Sequence, residues 1–347
     1  MKSILGGVKD FFGLDIGSTG IRLVQLSNTI TPPTLAHYAF TPIDSKISLS
    51  DAKSDTDKLA QIIAKLVAEA RVTTKNVAVG IPSSRVFTTV VDIDRLSTDD
   101  LAKAIRYQAD SLIPTPLAES KIDWAVLGDS PVDKTKVELL MSSVANSFVE
   151  NRLDMLESIG LNVIAFEPDG LAITRSLLSG QTSSAQLILD IGRKSTDLII
   201  EFNGLPRLIR SIPTGMETLI KAASQTLNID ETQAEQFISK FGVSKEKLEG
   251  QIFQSISSTI EVLTSEIEKS VKFFQNRYGT AKVERMILTG GASIIPEFPL
   301  FIANKFGLNV EIGNAWRNVA YPRDRSNELM TLANHFSVAI GLAERKQ

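Results

Sequence analysis

Apolar positions along this chain change their spacing from segment to segment, and the spacing predicts the secondary structure. Short apolar runs bounded by turn residues indicate strands. In the first quarter of the chain these runs lie at about 11–16, 21–27, 34–41 and 76–82. Leu59, Ile63 and Leu66 recur at helical spacing, which predicts a helix over about 52–71. Strands, a helix and a further strand are the order of a mixed α/β layer.

Strands become denser from about residue 84 to residue 165. The predicted strands lie at about 86–93, 121–127, 136–145 and 161–166, and the predicted helices at about 98–111 and 147–159. Ser97 is a suitable N-cap for the first of these helices, and Gly160 ends the second. The β-α-β-β-α-β order predicts a small self-contained α+β unit inserted into the first half.

The second half opens with a predicted hairpin around Asp190 and continues as a long helical stretch. This stretch covers about 215–276, breaks near Asn228 and Gly242, and ends with one long helix over about 246–276. An apolar strand over about 283–289 then runs into a double glycine, and a last helix is predicted over about 329–346. No low-complexity linker divides the chain. We therefore expect two packed lobes with a cleft between them.

The two halves share one short motif. Asp15-Ile16-Gly17 and Asp190-Ile191-Gly192 each follow an apolar run and precede small hydroxyl residues and a second apolar run. This pattern predicts two β-hairpins with tight turns. Glycine in such a turn lets backbone N–H groups and hydroxyls approach a phosphate closely. Two such turns, about one domain length apart, suggest two related halves that bind a single nucleotide.

Composition excludes several classes of function. The net charge of −3 gives no electrostatic footprint for non-specific nucleic-acid binding. The chain has no cysteine, which excludes disulfides and thiolate chemistry. Its two histidines, His37 and His335, are far apart in the sequence, so we interpret both as structural and expect neither a zinc site nor a histidine-based triad.

No apolar stretch approaches the roughly 18 residues that span a bilayer. The first twelve residues carry Lys2 and Lys9 among apolar side chains but have no cleavage-site pattern, so they do not form a signal peptide. Two interpretations stay open for this segment. It is either a plain lead-in to the first strand or a short helix that touches a membrane surface.

The twin turns supply most of the candidate site residues. Asp15 and Asp190 are candidates to hold Mg²⁺ through its waters, the usual way in which magnesium meets a protein carboxylate. The candidate nucleotide contacts in and near the turns are Gly17, Ser18, Thr19, Gly192, Lys194, Ser195, Thr196 and Gly215. Lys194 fits a solvated surface lysine equally well. Each turn alone also fits an ordinary hairpin, because Asp and Gly are favoured turn residues.

Two further segments complete the candidate site. Gly290, Gly291 and Ala292 follow the strand over 283–289, where glycines would let an adenine or ribose lie against the backbone. The alternative is a simple strand-to-helix turn. Glu266 and Lys269 lie three apart on the long helix and are candidates for ribose or base contact. They fit a weak surface ion pair as well.

Four segments resemble nucleotide-binding motifs of the actin-like ATPase superfamily. Segments 15–22, 190–196, 289–292 and 338–343 look like its phosphate-1, phosphate-2, adenosine and connect-2 motifs. Within the superfamily the chain resembles the PilM family of type IV pilus assembly proteins, which is related to the division protein FtsA. The closer cues are segments 15–26, 109–117 and 266–274. The likeness spans nearly the whole chain.

The resemblance implies an α/β, actin-like ATPase fold. Two RNase H-like lobes would surround a nucleotide cleft, with an inserted α+β 1C subdomain. The implied division assigns 1–83 to the first part of lobe 1 (subdomain 1A), 84–165 to the insert, 166–185 to the return to lobe 1, 186–330 to lobe 2 (subdomains 2A and 2B), and 331–347 to a C-terminal helix that packs back on lobe 1.

The resemblance also implies a role. The chain would be a cytoplasmic, ATP- and Mg²⁺-binding scaffold at the inner face of the cytoplasmic membrane. The N-terminal peptide of a PilN-like inner-membrane protein would dock in the groove between 1A and 1C, around 86–93 and 112–117. Other inner-membrane pilus proteins are implied partners through which the chain would associate peripherally with the membrane. Self-association stays open, and no nucleic acid is expected.

Departures from the family pattern bear on catalysis. Gly20 and Arg22 replace the usual Ser and Lys, and Arg193 and Lys194 stand where small residues are commoner. The segment 166–170 offers carboxylates, but none is clearly placed to orient an attacking water, as hydrolysis requires. Nucleotide binding is therefore the firmer prediction, with weak or no ATPase activity.

Two alternative functions stay open. One is a small-molecule kinase on the same fold, with Asp190 or Asp169 as the candidate base. The other is an FtsA-like division filament. The sequence ends at Gln347, directly after the connect-2 segment and without an amphipathic tail, which counts against self-anchoring of the FtsA kind.

Overall fold

The computed structural model describes residues 10–27, 31–178, 184–279 and 281–346. The side chains of residues 98 and 99 are not described. The first nine residues lie outside the described part of the chain, so the two interpretations of the N-terminal segment stay predictions. Residues 179–183, which belong to the predicted return to lobe 1, also lie outside the described part of the chain.

The described residues form a mixed α/β structure. The strands are β1 (Phe12–Ile16), β2 (Gly20–Ser27), β3 (Thr34–Pro42), β4 (Asn76–Ile81), β5 (Val86–Asp94), β6 (Ser120–Asp129), β7 (Lys136–Ala145), β8 (Asn162–Pro168), β9 (Ala185–Ile191), β10 (Thr196–Phe202), β11 (Leu205–Ile212), β12 (Val283–Thr289) and β13 (Asn309–Ile312). The helices are α1 (Ser45–Ser48), α2 (Lys53–Ala70), α3 (Thr98–Leu112), α4 (Asn146–Ser158), α5 (Asp169–Leu177), α6 (Met216–Leu227), α7 (Glu231–Phe241), α8 (Gln251–Arg277), α9 (Phe298–Phe306), α10 (Ser326–Leu332) and α11 (Ser337–Ala343). The strands predicted from short apolar runs are confirmed, with bounds that differ by one or two residues.

Two five-stranded sheets have the same topology. The first has the order β3-β2-β1-β4-β8 and the second the order β11-β10-β9-β12-β13. In each, a meander of three antiparallel strands is followed by two strands that run parallel to the central one. The repeat that the sequence shows in one short motif therefore extends over a whole sheet.

Apolar helix faces cover these sheets. In the first, Leu59, Ile63 and Leu66 of α2 are buried in one cluster with the strand residues Phe12 and Leu14. In the second, α8 has nine buried residues over its length. Helices with one apolar face pack in this way because each sheet face must also be covered.

The inserted unit is smaller than predicted. Its sheet has the order β5-β7-β6, and α3 packs on it through Ile105 and Ala109. β8, which the sequence pattern placed in the insert, instead pairs in parallel with β4. α4 likewise buries Met155 and Leu156 in the core of the first sheet. The apolar side chains of β8 and α4 pack in the first sheet's core. The spacing of apolar residues along the sequence does not reveal which sheet an element joins.

The described chain divides into two compact units. The first comprises the described residues of Met1–Ser179, Ala315–Met330 and Val338–Gln347, and the second those of Gly180–Asn314 and Thr331–Ser337. The segment Ala315–Met330, predicted within lobe 2, therefore groups with the first unit. The reason is edge pairing: the Leu35 N–H donates to the Ala320 carbonyl at 2.9 Å, and the Ala320 N–H donates to the Pro33 carbonyl at 2.8 Å.

The predicted C-terminal helix is two helices, α10 and α11. The break lies around Asn334, whose carbonyl accepts from the Gly290 N–H at 2.8 Å and from Thr289 Oγ1 at 3.1 Å. A continuous helix would commit that carbonyl to its own fourth following residue. After the break, α11 packs closely on the first unit, because a Cβ on Gly13 would lie 2.3 Å from the Ala339 carbonyl oxygen.

Candidate functional site

The twin motifs form two turns of the same design. In the first, Ile16 pairs with Ile21 across the hairpin, and the Gly17 N–H donates to the Gly20 carbonyl at 3.0 Å. In the second, Ile191 pairs with Thr196, and the Gly192 N–H donates to the Ser195 carbonyl at 2.9 Å. Each turn therefore has four residues closed by one backbone hydrogen bond.

The first turn carries Ser18 and Thr19 at its tip, where Ser18 is half-buried and Thr19 is exposed. Ser48 Oγ donates to the Ser18 carbonyl at 3.2 Å, and the Ile43 N–H donates to the Thr19 carbonyl at 3.1 Å. These two hydrogen bonds fix the backbone carbonyls at the tip of the turn. Both hydroxyls remain at least partly accessible, as a phosphate contact requires.

Asp15 lies at the base of the first turn and is buried, with 7% of its surface exposed. Burial raises the pKa of this carboxyl, and the adjacent Arg22 guanidinium opposes the shift. Arg22 Nη1 lies 3.2 Å from Asp15 Oδ2, and the guanidinium stacks on the Phe40 ring at 5.2 Å. Arg22 Nε is buried without a hydrogen-bond partner. The base of the turn therefore holds a buried carboxylate–guanidinium pair.

The second turn is built onto the start of α6. The Met216 N–H donates to the Gly192 carbonyl at 3.0 Å, and the Glu217 N–H donates to the Arg193 carbonyl at 2.9 Å. A Cβ on Gly215 would lie 2.7 Å from both of those carbonyl oxygens. Only glycine fits here without a shift, because the neighbouring atoms are backbone.

The hydroxyl-bearing residues of the second turn differ in exposure. Ser195 is half-buried, whereas Thr196 has no exposed surface and its Oγ1 donates to the Thr214 carbonyl at 2.7 Å. The Thr196 hydroxyl therefore fixes the chain that leads into α6. Ser195 is the hydroxyl of this pair that a ligand can reach.

Both basic residues of the second turn form ion pairs. Lys194 Nζ lies 2.5 Å from Glu217 Oε2, and Arg193 pairs with Glu235 on α7. Glu217 also accepts from Lys221 Nζ at 2.6 Å. Hydrogen bonds from the two lysines lower the pKa of Glu217 to about 2.

The double glycine follows β12 in the second unit, beside the end of β9. Gly290 has φ +82°, and a Cβ there would lie 2.3 Å from Asp190 Oδ1 and 2.6 Å from the Ile191 carbonyl oxygen. The structure therefore brings Asp190 and the double glycine together. Gly291 is exposed, and a Cβ on it would meet only the His335 ring, at 3.4 Å. Gly290 has a packing reason to lack a side chain, whereas Gly291 has none.

Ala292 is buried directly behind this turn, with 3% of its surface exposed. Glu266 and Lys269 form an exposed ion pair on α8, with Lys269 Nζ 2.7 Å from Glu266 Oε1. Arg210 Nη2 lies 3.4 Å from Glu266 Oε2 on the same carboxylate. These contacts are those of a surface ion pair, and a role of Glu266 and Lys269 in nucleotide binding stays a prediction.

Among the residues that the structure describes, no group of three or more acidic, histidine or cysteine side chains could hold a metal ion. The role of Asp15 and Asp190 toward Mg²⁺ stays a prediction. Asp169 is also considered as a base. Its Oδ1 lies against the Gly80 backbone, because a Cβ built on Gly80 would be only 2.4 Å from it.

A small cavity, partly open to solvent, lies beside the first turn in the first unit. Apolar side chains and the β4 backbone form much of its wall, and two arginines and two serines complete it. Its lining residues are Ile16, Ser48, Leu49, Val79, Gly80, Pro82, Ser84, Arg85, Phe148 and Arg152. Arg85 and Arg152 both stack on the Phe148 ring, at 5.5 and 5.6 Å. The cavity lies where β5 and the insert begin.

Comparison with known proteins identifies the family. The model of the type IV pilus assembly protein PilM family matches residues 13–347. This chain belongs to the PilM family. A chain in a solved PilM-PilN type IV pilus biogenesis complex is 25% identical with a TM-score of 0.82, and the match covers 96% of this chain and 97% of that one.

More distant structures show the actin-like ATPase fold. The ethanolamine utilization protein EutJ from Carboxydothermus hydrogenoformans is 16% identical with a TM-score of 0.56, over 96% of this chain and 88% of that one. MreB 5 of Spiroplasma citri, solved with AMPPNP bound, is 12% identical with a TM-score of 0.52, over 96% of this chain and 95% of that one. The predicted fold class is therefore confirmed.

Two further observations concern the helices and the site residues of the described chain. Across the part of the chain that the structure describes, no helix combines the length and apolar character that crossing a bilayer requires. Glu217 is not among the site residues predicted from the sequence. Its pair with Lys221 follows the i,i+4 spacing on α6, whereas its contact with Lys194 depends on the fold. Arg22 enters the prediction only as a departure from the family pattern, although the register of the first hairpin, in which Asp15 pairs with Arg22, indicates their contact.

Proposed function

We propose that this protein is a nucleotide-binding scaffold of type IV pilus assembly that docks a PilN-like partner. The observation that carries the proposal is the match over 96% of the chain to a component of the PilM-PilN complex, at a TM-score of 0.82. The proposed partner is an inner-membrane protein, so the scaffold would lie at the inner face of the cytoplasmic membrane. Contacts with other inner-membrane pilus proteins and self-association are further parts of the proposal.

The twin turns are the proposed phosphate-binding elements for ATP. Ser18 and Thr19 of the first turn and Ser195 of the second would offer hydroxyls to the phosphates, while Gly17 and Gly192, whose N–H groups close the turns, leave room for a close approach. Lys194 adds a cation to the second turn, and Gly291 leaves space for the nucleoside. The bound Mg²⁺ would neutralise phosphate charge, with Asp15 and Asp190 holding its waters.

Binding rather than turnover is the proposed use of the nucleotide. Hydrolysis needs a group that orients the attacking water. Asp15 is paired with Arg22, Asp169 lies against Gly80 and Asp190 lies against Gly290, so each of these carboxylates has close structural neighbours. A kinase is not favoured, because the family is one of pilus assembly. The protein's differential affinity for nucleotide and partner in its different conformations would then couple the two ligands.

The cavity beside the first turn is the proposed docking site for the partner's N-terminal peptide. It adjoins the predicted docking segment 86–93 through Arg85, which directly precedes β5. Apolar walls suit aliphatic side chains of an extended peptide, which gain affinity from burial. The Arg85 side chain is 42% exposed, and its Nη2 lies 3.6 Å from Asp51 Oδ2, a loose pair that a peptide carboxylate would replace.

A titration of a synthetic PilN-like N-terminal peptide tests this docking site. Two variants alter the cavity: Arg85→Glu reverses the charge at its rim, and Ser84→Trp fills it. We expect each to weaken peptide binding at least tenfold by calorimetry. Arg106→Glu on the exposed face of α3 is the matched charge-reversal control and should bind like the parent. Parent-like binding by both cavity variants would exclude this site while leaving the nucleotide proposal intact.

A further inference from the structure

Glu217 holds two ammonium groups beside the second turn. Lys194 Nζ lies 2.5 Å from its Oε2, and Lys221 Nζ lies 2.6 Å from its Oε1, so each carboxylate oxygen has one lysine. The Glu217 side chain is 19% exposed, against 43% for Lys194 and 52% for Lys221. The carboxylate is therefore the inner member of the cluster, and the two lysines are its solvent-facing members.

The backbone under this cluster has little freedom. The Glu217 N–H donates to the Arg193 carbonyl, and the Met216 N–H donates to the Gly192 carbonyl. Gly215 packs so closely on those carbonyls that a Cβ would overlap them. The start of α6 and the turn consequently form one rigid piece. What can rearrange when a ligand arrives is the side chain of Lys194.

We propose that Glu217 is a positioning residue that limits phosphate affinity at the second turn, because an incoming phosphate must compete with its carboxylate for Lys194. The inference rests on the proposed nucleotide site. Glu217 is ionised throughout the neutral pH range, since hydrogen bonds from its lysine partners hold its pKa at about 2. A fixed negative charge beside a phosphate site opposes anion binding, and it also neutralises the cation that would favour binding.

The sequence of this turn supports a role for the pair. Arg193 and Lys194 stand together in the turn, and each is paired with a carboxylate on a helix that follows, Glu235 on α7 and Glu217 on α6. Glu235 serves as an internal control for Glu217. It pairs with Arg193 in the same turn but does not hold Lys194, so its removal tests whether any lost carboxylate has the same effect.

The test is a set of calorimetric titrations with Mg-ATP on the full chain. We expect Glu217→Gln to tighten binding about tenfold, which corresponds to about 1.4 kcal/mol. Lys194→Met should weaken binding in the parent, and should weaken it more strongly in the Glu217→Gln background, where the lysine is free for phosphate. Contacting residues are generally non-additive, so the sign is the decisive readout: a contact that only held the turn in place would make the Glu217→Gln protein bind more weakly, not more tightly. High salt should reduce the gain, because ions screen exposed charges.

Glu235→Gln is the control and should bind within about twofold of the parent. Far-ultraviolet circular dichroism and thermal unfolding establish that each variant is folded. Equal or weaker binding by a folded Glu217→Gln protein, or additive effects of the two substitutions, would overturn the inference while the nucleotide site stands. If the parent itself binds no Mg-ATP, the proposed nucleotide site fails and this inference fails with it.

Discussion

The double glycine after β12 gives the sharpest prediction about packing. Gly290→Ala is expected to destabilise the protein strongly, whereas Gly291→Ala is expected to leave its stability nearly unchanged. At position 290 the backbone has φ +82°, and a new Cβ would lie 2.6 Å from the Ile191 carbonyl oxygen. At position 291 the backbone is not in the left-handed region, and a Cβ would meet only a histidine ring at 3.4 Å.

The magnitude follows from two costs at Gly290. Gly290 has φ +82° and ψ 167°, a backbone conformation that is open essentially only to glycine and costs another residue roughly 1–3 kcal/mol. Overlap with a neighbouring backbone costs roughly 1–3 kcal/mol more, since neither β9 nor β12 can move without disturbing the sheet. We therefore expect a loss of about 2–6 kcal/mol for Gly290→Ala, against less than about 1 kcal/mol for Gly291→Ala.

Urea unfolding of both variants, monitored by circular dichroism, measures these values. Mg-ATP titration adds a second readout, because Gly291 is exposed and lies beside the proposed nucleoside position. Gly291→Ala should lose affinity while keeping the parent's stability. A Gly290→Ala protein within 1 kcal/mol of the parent would refute the packing argument, and equal destabilisation by both variants would refute the distinction between the two glycines.

Three further predictions concern the C-terminal helix and its surroundings. Gly341→Ala should destabilise the first unit by several kcal/mol in urea unfolding, because its Cβ would lie 1.9 Å from the Ala172 carbonyl oxygen; parent-like stability would contradict the packing of α11. Glu167→Gln should cost about 3 kcal/mol, since this carboxylate, 2% exposed, pairs with two arginines; a change below 1 kcal/mol would show that the pairs are dispensable. Burial raises the pKa of Glu344 from its ordinary 4.5 to about 7, so its stabilising contribution is complete below about pH 4.5 and is lost as pH rises through 7. The parent should lose on the order of 2 kcal/mol between pH 5 and pH 8, and Glu344→Gln should lose clearly less; identical pH profiles would contradict the assignment.

The sequence predicted what depends on local patterns. The twin Asp-Ile-Gly motifs predicted two hairpins, and the structure has two turns with equivalent hydrogen bonds at Gly17 and Gly192. Strand positions followed from short apolar runs, because buried strands need apolar residues whatever their partners are. The fold class followed from the resemblance of several motifs together.

Long-range partners were beyond the reach of the sequence pattern. The apolar spacing of the C-terminal segment predicts one helix, but the carbonyl of Asn334 bonds to the Gly290 N–H, and the helix breaks there. β8 was assigned to the insert because it follows α4 in sequence, although its pairing partner is β4. Similarly, the i,i+4 spacing on α6 indicates the Glu217–Lys221 pair, but no spacing rule brings Lys194 to the same carboxylate.

Calorimetric titration of Mg-ATP into the parent, Asp15→Asn and Gly192→Val proteins tests the proposed nucleotide site most directly. Asparagine keeps an oxygen acceptor for Arg22, and a Cβ at Gly192 would meet only the Ser195 carbonyl oxygen, at 3.1 Å, so both variants should fold. We predict that the parent binds Mg-ATP and that each variant binds it at least tenfold more weakly. Folded variants that bind Mg-ATP as tightly as the parent, or a parent that does not bind it, would contradict the account.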